Sequence, residues 1–183
     1  MKLSRPARRA TLVVHVAAAA GWLGLTLGLL ALAFAAITTD SAATAEAAAR
    51  SMKIFADWLV LPLALLTLLS GLLLSLGTPW GLAKHRWVYT KFWLTLATTA
   101  ASAFALRPGI NDTVATVAAG SPVTEPTDLI AGPIVSLSAY LFMTVVSVLK
   151  PWGLTRRGRK QRGRNQRASA HKPVDVTDVR QTA

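Results

Sequence analysis

Residues 57–82 read DWLVLPLALLTLLSGLLLSLGTPWGL, and residues 128–154 read DLIAGPIVSLSAYLFMTVVSVLKPWGL. In both stretches an acid (Asp57, Asp128) stands five positions before a proline (Pro62, Pro133). An apolar run follows, and each stretch closes on Pro-Trp-Gly-Leu and a basic patch. Self-similarity of this kind marks an internal repeat. About 20 mostly apolar residues separate acid from motif, which as a helix rising about 1.5 Å per residue crosses about 30 Å of hydrocarbon. Each copy therefore reads as a membrane span.

The rest of the composition agrees. The chain has 183 residues, of which 52% are hydrophobic, and a formal charge of +12. It is too apolar for a nucleic-acid-binding domain, so no nucleic-acid partner is expected, and too basic for an ordinary soluble one. Apolar residues form four blocks, while Lys and Arg collect at the ends and in one loop. With no cysteine, disulfides, thiolate metal sites and cysteine nucleophiles are excluded.

The expected fold is all-α, a four-helix transmembrane bundle with spans at about 11–37, 55–76, 88–106 and 129–149, the membrane domain covering 1–154. The first block follows Lys2, Arg5, Arg8 and Arg9 without an acid. A signal peptide cleaved after Ala33-Phe34-Ala35 is the alternative, but the block exceeds the roughly 7 to 15 apolar residues of a signal core. Residues 38–53 read as a short surface helix. Pro62 reads as lying near the start of its span, where a missing N–H costs least. Arg107-Pro108-Gly109 reads as a stop, with 110–127 as the longest loop. Residues 155–183 are strongly basic with no apolar periodicity and read as a disordered cytoplasmic tail.

Positive charge sets the orientation. Lys2, Arg5, Arg8, Arg9, Lys84, Arg86, Lys91 and the tail cations fall on one side of a four-span path, against Arg50, Lys53 and Arg107 on the other. Both termini are therefore expected in the cytoplasm. If spans two and four are copies, so are one and three. The molecule is then two tandem hairpins of like orientation, related about an axis along the membrane normal.

Polar residues inside the spans mark inward faces. Lys91, Thr95, Thr98, Thr99 and Ser102 recur at helical spacing, as do Ser136, Tyr140, Thr144 and Ser147. Hydroxyls are satisfied by their own backbone or pack against other helices. Ala17-Gly21 and Gly24-Gly28 are small pairs four apart that allow close helix approach, and a homo-oligomer is compatible with them. Asp57 and Asp128, at the outer boundary, suit helix caps.

Two ionisable residues lie within the apolar blocks, His15 and Lys91, and such groups are functional-site hypotheses by default. Lys91 can instead snorkel to headgroups. Trp22 lies seven residues after His15 on the same face, with Ala18 and Ala19 between them, leaving a small-residue recess that would suit a flat aromatic ligand such as haem b. The competing reading is a histidine hydrogen-bonded within the bundle. No HExxH, paired carboxylates on one helix or phosphate-binding glycine loop occurs. The basic tail can contact anionic lipid headgroups or RNA, and a solvated charge run that enforces topology explains it as well.

The segments LVVHVAAAAGWLGL, DWLVLPLALLTLLSGLLLSLGTPWGLAKHRWVYTKFWLTLA, FALRPGIND and VSVLKPWGLTRRGR resemble a family of four-span bacterial membrane proteins, the domain-of-unknown-function family numbered 2269. That resemblance implies the fold and a bacterial plasma-membrane location, and carries no activity. More distantly, His15 followed by Gly21-Trp22-Leu23-Gly24, with Lys91 opening a later span, is similar to HemJ-type protoporphyrinogen oxidases and copper-resistance D membrane domains. The first of these implies His15 as haem ligand with Lys91 as second ligand or proton donor. Leu23 interrupts the glycine pair of that pattern, and three methionines are few for copper. Three readings follow: an integral membrane protein without assigned activity, a haem-binding redox protein, and a small-solute transporter using the hydroxyl stripes.

Overall fold

The computed structural model describes residues 3–77, 82, 84–121 and 126–170. Those residues are helical apart from short connections and one isolated antiparallel bridge, His85 to Leu154. The helices are α1 (Arg5–Thr38), α2 (Ala42–Gly77), α3 (86–118), α4 (Pro126–Leu149) and α5 (Arg156–Ala170). α1, α2 and the 129–149 part of α4 are long and apolar enough to cross a membrane.

α1 starts where Ser4 accepts a hydrogen bond from Ala7 N, with proline in its first turn. It ends at Thr39. Ser41 then caps α2 by accepting from Thr44 N, so only three residues separate two helices that must run antiparallel. Contacts descend accordingly: Leu3 N donates to Gly77 O, His15 lies on Gly71, Gly21 on Leu63 and Gly28 on Phe55. α3 and α4 pair in the same sense, Lys91 with Ser147, Thr95 with Met143, and Leu106 with Gly132. α1 further packs on α4, and α2 on α3.

The prolines behave differently from the sequence reading. Residues 38–53 do not hold a separate surface helix before the second span; α2 runs unbroken from Ala42 to Gly77, and Pro62 sits in its interior. A proline there removes the bond to residue 58 and crowds its carbonyl. The helix absorbs this by widening into π turns over Ala56–Val60. Pro108 is accommodated in the same way by π turns over Ser102–Leu106, so Arg107-Pro108-Gly109 does not stop α3, which continues to Ala118. The expected long loop is thereby mostly helix. The two π segments lie against each other. The residues whose carbonyls the prolines crowd, Trp58 and Phe104, are 75% and 83% exposed.

The exterior is far more apolar than that of a water-soluble bundle. Only 28% of the most apolar window of each candidate span is buried, and Leu, Val, Phe and Trp side chains cover the outside. Among the described residues the buried polar ones all carry hydroxyls: Thr26, Thr67, Ser70, Ser75, Thr95, Thr98, Thr99 and Ser102. An apolar exterior, with hydroxyls set among the small and apolar residues inside, is the make-up of a membrane protein.

Residues 156–170, expected as part of a disordered tail, form α5. Thr155 caps it by accepting from Gly158 N, and Arg, Lys and Gln are good helix formers. The first copy's Pro79-Trp80-Gly81 lies outside the described residues.

Candidate functional site

α1 carries its buried residues as one stripe, Ala18, Trp22, Thr26, Leu29, Ala33 and Ala36, because steps of three and four return to the same face. His15 flanks that stripe and turns toward α2. Its Nδ1 lies 3.1 Å from Thr67 O and 3.0 Å from Ser70 Oγ. A carbonyl only accepts, and Ser70 already donates to Leu66 O at 2.5 Å. The network therefore assigns the proton to Nδ1 and leaves the lone pair on Nε2. Gly71 makes the approach feasible, since a Cβ there would stand 3.1 Å from the ring Cε1.

Lys91, half-buried, donates to Ser147 Oγ on α4. Each hairpin thus holds the ionisable residue of its first helix on a serine of its second, 55 residues on for His15 and 56 for Lys91.

Trp22, 3% exposed, does not roof a recess beneath His15. It packs on Tyr140 with ring centroids 4.5 Å apart, within an apolar cluster that includes Ala64 and Met143. Ala18 is buried as well. The ring read as one wall of a flat-ligand recess is thus packed on Tyr140, and Ala18 lies within the packed face of α1.

Below Lys91 the α3 stripe faces inward as its spacing predicts, with Thr95, Thr98, Thr99 and Ser102 all buried. Each donates to the carbonyl four residues back, between 2.7 and 2.9 Å. Thr26 on α1 does the same to Trp22 O. With protons committed to their own backbone, these hydroxyls present lone pairs to the seam. Two hydroxyls break the pattern. Tyr140 Oη and Thr67 Oγ1 are buried and make no hydrogen bond, although Tyr140 is surrounded by Thr26, Thr98, Ser102 and Ser136. Those neighbours lie near Oη but outside hydrogen-bonding geometry with it.

The α4 stripe is corrected at one position. Tyr140 is buried and Ser147 half-buried, but Thr144 is exposed, because the buried face of α4 runs through Leu129, Pro133, Tyr140, Met143 and Val146. Likewise Gly24 has nothing nearby, while Gly21 and Gly28 sit under α2.

The sequence reading missed Thr67, Ser70 and Gly71. Their signal was there, as polar or small residues one turn apart in a leucine-rich run. It also took Asp57 for a cap. Asp57 lies instead within the π turns of α2, its Oδ2 bound to Lys53 Nζ at 2.9 Å and its Oδ1 to Arg107 Nη2 at 2.8 Å. Lys53 also donates to Asn111 Oδ1 at 2.6 Å. This network joins α2 to α3 at the end remote from the termini. Only the Lys53–Asp57 spacing of four was visible beforehand. Asp128 carries no described side chain.

No family model matches the chain, and neither does any curated protein or solved structure.

Proposed function

We propose that this chain is a multi-pass protein of the bacterial cytoplasmic membrane, a four-helix bundle with both termini inside, whose hydroxyl seam passes a water-sized polar solute. α3 is less apolar than its neighbours, yet it aligns with α4 over its length and turns Thr95, Thr98, Thr99 and Ser102 inward, which supports a fourth crossing. The charge bias along the sequence supports the orientation.

The observation that carries the transport reading is the orphaned Tyr140 Oη. Leaving a buried hydroxyl unpaired costs about 1–3 kcal/mol, and an exception of this kind calls for an explanation such as a working role. Here Tyr140, like Thr67, is a donor not committed to a backbone carbonyl, and it is set among hydroxyls that offer acceptors. A small species that both donates and accepts suits that place. His15 and Lys91 supply titratable groups toward the cytoplasmic end.

The test is reconstitution into vesicles, with proton entry followed by a trapped pH dye and water flow by osmotic shrinkage. Wild-type protein should accelerate one of them over empty vesicles. Tyr140→Phe should reduce that flux several-fold, and Thr144→Ala, on the outer face, should not. No acceleration of either would end the reading.

A second reading, haem binding at His15 with Lys91 as second ligand or proton donor, rests on the Nδ1–H held by Thr67 O, since metal-binding histidines are oriented by such a bond and bind through the other nitrogen. Against it stands the packing of Trp22 on Tyr140, which takes up one face of the ring that was to line the recess. A Soret band in purified protein, lost in His15→Ala, would restore it.

A further inference from the structure

Where the second Pro-Trp-Gly-Leu meets the start of α3, an open cleft of about 570 Å³ is lined by Arg86, Trp152, Leu154, Arg159, Arg162 and Gln166, among others. Its walls are fixed by backbone. His85 bridges Leu154, Thr155 N donates to Lys84 O at 2.8 Å, and Arg86 N bonds Gly153 O. α5 is pressed so close that a Cβ on Gly158 would stand 2.5 Å from Lys84 O. Arg159, Arg162 and Gln166 follow steps of three and four along α5, so they share one face, and Arg86 reaches the same space from α3.

Three guanidiniums in one cleft repel each other unless an anion joins them. Among the described residues the ion pairs are Arg50–Glu46, Lys53–Asp57 and Arg107–Asp57, so none of the cleft arginines has a carboxylate partner among them. α5 itself contains no acid. Guanidinium forks match phosphate oxygens two at a time, and Gln166 adds a neutral donor. Trp152, partly exposed at the cleft, is a side chain favoured at headgroup level.

We propose that this cleft is a phosphate-binding site, with Arg86, Arg159 and Arg162 as donors to a phosphodiester or diphosphate. The group comes either from an anionic lipid of the surrounding leaflet or from a soluble phosphate compound, and the chemistry of recognition is shared. The proposal does not depend on the transport reading, because it uses the rim and not the seam.

The experiment uses the full chain in uncharged detergent with two probes: cardiolipin, against phosphatidylcholine, by native mass spectrometry, and inorganic pyrophosphate by calorimetry. Arg159→Gln/Arg162→Gln should weaken binding of at least one probe by about tenfold or more, the loss expected for charge-assisted contacts. Arg164→Gln/Arg167→Gln removes the same charge from the same helix outside the cleft and should retain wild-type binding to within about threefold. Arg86→Gln lies on another helix, so it leaves α5 intact and gives an independent arm with the same expected loss. Loss for cardiolipin alone assigns the lipid source, and loss for pyrophosphate alone assigns the soluble one. Equal weakening by the two α5 double variants, an unaffected Arg86→Gln, or wild-type protein that prefers neither probe would each overturn the proposal.

Discussion

Arg107 meets Asp57 across 50 residues of sequence, its Nη2 2.8 Å and its Nε 3.2 Å from the same carboxylate oxygen, while Lys53 holds the other oxygen. The contact ties Asp57, in one π segment, to the residue that follows the other, and each segment is the consequence of a proline two residues further on. Asp57→Asn should leave two cations facing each other and lower the melting temperature in detergent. The swap Asp57→Arg/Arg107→Asp should recover part of the loss, whereas additive losses in a double-mutant cycle would show that the pair is not coupled.

Gly71 and His15 form a second coupled pair. Gly71→Val should displace the imidazole from Thr67 and Ser70 and cost about 1–3 kcal/mol, as overpacking does. In a His15→Ala background the same change should cost much less. Thermal unfolding of the four proteins checks this, and equal costs in both backgrounds would contradict the packing described.

Tyr140 separates stability from function. Trp22→Ala removes the large ring packed on it and should destabilise by about 3–5 kcal/mol. Tyr140→Phe keeps the ring and deletes an unpaired hydroxyl, so it should be neutral or stabilising while reducing vesicle flux. Destabilisation by Tyr140→Phe would show that the hydroxyl is bonded in the folded protein.

The absence of cysteine makes topology directly testable. In intact cells Asp40→Cys and Ser121→Cys should react with a membrane-impermeant maleimide, and Arg164→Cys only after permeabilisation. Labelling of Arg164→Cys in intact cells would invert the orientation or remove one crossing.

Gly158 is a contact point where no side chain fits. Gly158→Ala places a methyl within 2.5 Å of Lys84 O, a backbone atom. α5 should undock, seen as faster hydrogen exchange over 156–170 with α1 to α4 unchanged. Unchanged exchange would mean that α5 is not seated on the Lys84 carbonyl.

The sequence alone was enough for the helical class, the apolar blocks at 11–37 and 129–149, and the inward stripe from Thr95 to Ser102, because hydropathy and helical period are local properties. It misplaced what depends on neighbours. Pro62 and Pro108-Gly109 read locally as a start and a stop, yet packing between α2 and α3 keeps both helices continuous by widening a turn ahead of each proline. The partners of Asp57, His15 and Lys91 lie 50 to 56 residues away, and no local pattern encodes a distance of that kind. Thr144 faced outward for the same reason, since the buried side of α4 was chosen by Trp22 and the α3 threonines rather than by its own hydroxyls. Tertiary packing alone decided which polar atoms stayed unpaired, and those atoms carry the functional reading.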